Sequence, residues 1–165
     1  MPLLDATGRY VPDSYTRDAD APGAILLPFD ALEAAPARDG EIGVEIANTV
    51  EIAALEPHLG RLALIAIAFP AYGDGRGFSL AKRLRHAGFT GRLRAVGPLI
   101  ADQFAYALAC GFNEVELPEA NAARQPAEHW IRAAAAFTAT YQRGYARDGN
   151  ILDARRAARA GGRNG

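Results

Sequence analysis

The run Leu62-Ala63-Leu64-Ile65-Ala66-Ile67-Ala68-Phe69 passes directly into Pro70-Ala71-Tyr72-Gly73-Asp74-Gly75-Arg76-Gly77-Phe78-Ser79-Leu80-Ala81, and this junction decides the fold. A strand sandwiched inside a parallel sheet reads as a continuous apolar run, because both of its faces are covered. Leu62 to Phe69 fits that description. Next come three glycines at alternate positions, enclosing Asp74 and Arg76, and then an amphipathic stretch predicted as a helix from Phe78 to His86. Such a loop can turn sharply, present backbone N–H groups, and leave a guanidinium beside them.

The same rhythm extends in both directions. Downstream, Gly88 ends the helix, Arg92–Val96 is the next strand, and a helix is predicted from Pro98 to Cys110 with Gly111 as its left-handed cap. Phe112–Leu117 is a further strand, and Pro126–Arg143 the last helix. Upstream, Ile42–Ala47 is a strand followed by a helix over Thr49–His58. Ala24–Phe29 is extended, and Pro28 sends it to an edge. Four strand–helix units in series imply parallel strands joined by right-handed crossovers. The expectation is a single α/β domain with an open, mostly parallel sheet; a partial (βα) barrel is the alternative. Residues 1–23 read as an N-terminal arm, 24–144 as the α/β domain, and 145–165 as a flexible basic tail.

Two strands break the continuous apolar pattern. Arg92 and Arg94 share one face of their strand, and Glu114 and Glu116 share one face of theirs. If the strands are neighbours, these charges pair across the sheet and one sheet face is polar. That face would be a wet cavity or a subunit interface.

Composition narrows the functional classes. Half of the 165 residues are apolar and 22% are charged, as in an ordinary globular domain. A net charge of −1 gives no electrostatic reason to expect nucleic acid. No apolar run is long enough to span a membrane, and the N-terminus has no signal-peptide core, so a cytoplasmic protein is expected. The tail carries Arg147, Arg155, Arg156, Arg159 and Arg163 against Asp148 and Asp153, a frayed end or a dock for an acidic partner. The single cysteine, Cys110, sits at a helix C-terminus, the wrong end for an activated thiolate, and reads as a core residue. His58, His86 and His129 are too scattered for a zinc site, and no metal is expected. Lys82, Arg83 and Arg85 read as a solvated helix face.

In a parallel α/β sheet, ligands bind beyond the carboxyl ends of the strands. The candidate ligand residues there are Gly73, Asp74, Gly75, Arg76, Gly77 and Ser79, joined by Arg94, Asp102 and Gln103. Together they would hold a small anion on amides, a helix N-terminus and a guanidinium. The spacing is neither a dinucleotide fingerprint nor a P-loop, so the cofactor stays unknown. A tight turn closed by an Asp74–Arg76 pair is the plainer alternative. Asp102 equally suits the helix dipole, and Arg94 equally suits a structural ion pair. No catalytic residue is assigned.

Phe69-Pro70, Asp74-Gly75-Arg76-Gly77-Phe78-Ser79-Leu80-Ala81, Leu84-Arg85 and Gly91-Arg92-Leu93-Arg94-Ala95-Val96-Gly97 together resemble the central signature of an uncharacterised bacterial family. Asp102-Gln103, Cys110-Gly111-Phe112 and Glu116-Leu117 continue the pattern over roughly 42–141. Genes of that family commonly lie beside the sirohaem sulfite/nitrite reductase, and its members are labelled at most as oxidoreductases of sulfite reduction. The resemblance therefore implies a place in assimilatory sulfur metabolism, with the reductase as a partner. It implies no mechanism: the residues show no dinucleotide fingerprint, no Cys-x-x-Cys and no haem or Fe–S ligand set. A small-anion site, an accessory protein docked on the reductase, and a homodimer burying the polar strand face are the expectations carried forward.

Overall fold

A computed structural model describes residues 1–35 and 39–145, apart from the side chains of 138–145. Among the described residues, seven strands form one sheet: β1 (Leu3–Asp5), β2 (Tyr10–Val11), β3 (Ile25–Pro28), β4 (Ile42–Ala47), β5 (Leu62–Ala68), β6 (Arg92–Val96) and β7 (Glu114–Glu116). Their spatial order is β2-β1-β7-β6-β5-β4-β3. The sheet is open, with β3 to β7 parallel and β1 and β2 antiparallel at one end. The helices are α1 (Ile52–Leu55), α2 (Arg76–His86), α3 (Ala101–Ala109), α4 (Glu119–Ala122) and α5 (Ala127–Tyr145).

Strands β3 to β7 lie side by side in chain order. Right-handed crossovers between such neighbours all return on the same side, so the helices collect on one face. The core agrees. Ile52 and Leu55 of α1, Leu80 and Leu84 of α2, Phe104 of α3 and Trp130 of α5 share one apolar cluster with Val44, Ile65, Leu93 and Val115. The opposite face holds a separate small cluster of Tyr15, Leu26, Leu64, Ala66 and Val96.

That second face explains the alternating strands. Arg94 lies opposite Glu114, and Val96 opposite Glu116, in the β6–β7 register. Arg94 is 0% exposed. Its Nε donates to Glu114 Oε1 at 2.8 Å, and its Nη1 donates to Glu116 Oε2 at 2.8 Å. Both terminal nitrogens also donate to Asp13, at 2.6 and 2.7 Å. Arg17 bridges Glu45 and Glu116, and Tyr15 donates its hydroxyl hydrogen to Glu41 at 2.5 Å.

Within this subunit the buried charges of that face, Arg94, Glu114 and Glu116, do not line a wet cavity; they are met by Asp13 and Arg17 of the chain's own N-terminal segment. The arm expected over 1–23 is a working part of the fold: it supplies β1, β2 and the three side chains that lock the second face. Burial pulls the Arg94 guanidinium down, but its bonds to Asp13, Glu114 and Glu116 outweigh that and raise its pKa. Burial pushes Asp13 up, and its bonds from Arg94 and the Tyr15 N–H more than reverse the effect. Burial and the bond to Glu41 push Tyr15 up to about 12.

Several boundaries move for local reasons. The helix predicted from Thr49 shrinks to α1 and a 3-10 turn over Glu56–Arg61, where Pro57 sits at the start. The helix predicted from Pro98 begins at Ala101, because Gly97 (φ 143°) and the Leu99 N–H bond to Gly97 O hold an intervening turn. Gly88 (φ 89°) and Gly111 (φ 101°) end their helices in left-handed conformations, as the sequence predicts. Arg85 is no solvated residue. It donates to the carbonyls of Phe89, Gly91 and Gly111 and to Asn113 Oδ1, which in turn accepts the Leu93 N–H. One side chain therefore ties the end of α2 to the starts of β6 and β7. Cys110 is buried, and burial pushes its thiol pKa up. The expected basic tail lies outside the described residues beyond Tyr145.

Candidate functional site: the cleft at the carboxyl ends of β4 and β5

The β5–α2 loop begins on an aromatic footing. Phe69 packs on Phe78 with ring centroids 5.0 Å apart and on Phe112 at 5.9 Å. A Cβ on Gly77 would lie 2.3 Å from the Phe69 ring, so this glycine exists to let the first turn of α2 press onto the strand. Gly73 and Gly75 differ. None of the three loop glycines has a positive φ, and a Cβ at 73 or 75 would meet nothing within 4 Å. Neither backbone conformation nor packing within the chain requires glycine at these two positions. An approaching molecule is one remaining reason for such bare backbone.

Asp74 and Arg76 form a fork. Arg76 Nη2 donates to Asp74 Oδ2 at 2.6 Å, and Nε donates to Oδ1 at 2.9 Å. The Arg76 N–H also donates to Asp74 Oδ1, at 3.2 Å. Arg76 holds the Asp74 carboxyl well below the usual carboxylate range, with help from the nearby Asn48 amide. That amide makes no hydrogen bond of good geometry: Asn48 is 8% exposed, and its buried Nδ2 is left without a hydrogen-bonded partner. A buried donor left this way costs about 1–3 kcal/mol.

Asn48 stands just past β4, at the base of an open cleft of about 340 Å³. Thr49, Val50, Glu51, Arg76, Ser79, Leu80 and Arg83 complete the lining. Arg76 remains 61% exposed despite its pairing with Asp74, and Arg83 reaches Glu51 at 3.5 Å. The cleft thus combines an eleven-residue helix N-terminus, two guanidinium groups, two hydroxyls and one unpaired amide donor.

The structure brings together only part of the expected set. Asp74, Arg76, Gly77 and Ser79 meet at the start of α2, with Gly73 and Gly75 in the adjoining loop. Gln103 reaches the loop from α3: its Nε2 donates to Tyr72 O at 2.7 Å, and its Oε1 accepts the Ile100 N–H at 3.3 Å. It braces the loop. Asp102 does not share that direction; it lines a groove with His129 and Arg132 of α5. Arg94 lies on the second sheet face, with its donors committed to Asp13, Glu114 and Glu116. Thr49 and Arg83 stand outside the ligand set expected from sequence. Asn48 is also outside that set, although the sequence places it at a strand's carboxyl end, directly after a strand that ends at Ala47.

Residues 43–151 match the model of a family described as "Bacterial protein of unknown function (DUF934)". The chain belongs to this family. The match begins inside β4 and takes in the whole cleft, the brace from Gln103 and the Arg94 ladder. It leaves out β1, β2 and the Asp13–Arg17 segment that pairs with that ladder. No curated protein matches the chain. Among the described residues no helix is long and apolar enough to cross a membrane.

Proposed function

We propose that this DUF934 protein serves assimilatory sulfite reduction by binding a small oxyanion in the cleft between β4 and α2. The observation that carries the proposal is the buried Asn48 Nδ2, a donor without an acceptor beside the Arg76 guanidinium at the N-terminus of α2. Asp74 already receives the Arg76 fork, so a ligand oxygen is the natural partner for what remains. The pathway comes from the family resemblance described above. The site offers binding and charge neutralisation, and no residue in it supplies a redox step.

A second reading has its own observation. Tyr72 is 62% exposed and Tyr106 51%, and Lys82 stands 4.9 Å from the Tyr106 ring centroid. Exposed aromatics beside a cation are favoured at protein interfaces, as an accessory protein docked on the reductase would need. Calorimetry with sulfite, sulfate and phosphate separates the two readings. Anion binding predicts measurable heat at millimolar ligand and its loss in Arg76→Ala. A silent titration, together with co-purification of the reductase, favours docking.

A further inference from the structure

The cleft is larger than the anion it is proposed to hold. Its 340 Å³ falls within the range of about 300–1,000 Å³ that organic ligands fill. A lone inorganic oxyanion, the size of a few water molecules at about 30 Å³ each, leaves most of that space empty. Beside Arg76 and Asn48 the lining carries apolar wall from Val50 and Leu80, and the Glu51 carboxylate is paired with Arg83 at 3.5 Å. An anion at Arg76 and Asn48 meets a guanidinium and an unpaired donor.

We infer that the cleft takes an organic oxyanion: a sulfo or phosphate head group at Arg76 and Asn48, carrying a compact apolar body. The inference rests on the anion reading above and adds the class of ligand. The head group replaces water around Arg76, and the body covers Val50 and Leu80. Burying a few methylene-sized groups against that wall is worth about a tenfold gain over the bare anion.

Calorimetry on the full-length chain with benzenesulfonate and phenyl phosphate, each compared with its inorganic anion, tests this. Benzenesulfonate is expected to bind about tenfold tighter than sulfate. Phenyl phosphate beside inorganic phosphate repeats the comparison for the other head group; the same gain in either series supports the inference. Sulfate and phosphate binding as tightly as every organic probe overturns the inference and leaves the anion site standing. Silence from all probes, with the fold intact by circular dichroism, overturns both.

Discussion

Arg94→Met is expected to lower the free energy of unfolding by about 3–5 kcal/mol. The guanidinium is fully buried and holds Glu114, Glu116 and Asp13 at once. Methionine fills much of the same volume but leaves two buried carboxylates short of their main partner. Arg17 still reaches Glu116 at 2.9 Å, and Arg92 reaches Glu114 at 3.6 Å, so the charges are not wholly abandoned. The loss also frees Asp13, one anchor of the segment that closes the second sheet face. In urea, with a slope of about 1–3 kcal/mol/M for a domain of this size, the unfolding midpoint should fall by roughly 1 M or more. A variant of unchanged midpoint but weakened ligand binding would instead make Arg94 part of a binding site.

Gly97→Ala should be nearly as costly, at about 2–4 kcal/mol. Gly97 adopts φ 143°, and a Cβ there would sit 2.2 Å from Phe69 O. The obstructing atom is backbone, and the Phe69 N–H is itself bonded to Val96 O at 2.7 Å. Relief therefore requires the ends of β5 and β6 to move apart. Because Phe69 is the footing of the glycine loop, the cleft is expected to loosen along with the fold. A thermal midpoint within a degree or two of the parent would contradict this account of the β5–β6 junction.

The parallel half of the sheet was legible because each of its strands carries a local signature. Ile42–Ala47 and Arg92–Val96 have the bounds the sequence predicts, and the alternating arginines and glutamates do pair across β6 and β7. What stayed hidden depends on distance along the chain. Asp13 meets Arg94 across 81 residues, and Arg17 meets Glu116 across 99. Strand β1 spans three residues, too few to show a period of two. Nothing local marks such a segment as ordered.

The site divides in the same way. Gly73 to Gly77 and Gln103 stand out in the sequence because turn chemistry is local. Asn48 gains its meaning only from the loop folded over it, and Arg94 loses its place among the candidates only once its three carboxylates are found. Gly77 looks like its neighbours in the sequence, yet it answers to the Phe69 ring.

The side-chain amide of Asn48 offers the most direct test of the anion cleft. In ¹⁵N–¹H spectra of the labelled protein, titration with sulfite should shift the Asn48 Nδ2 signals together with the backbone amides of 73–79. The amides of β6 and β7 should stay still. Saturable shifts confined to these groups are the predicted result. An Asn48 signal that does not move at millimolar sulfite, or shifts that cluster on another face, would contradict the account.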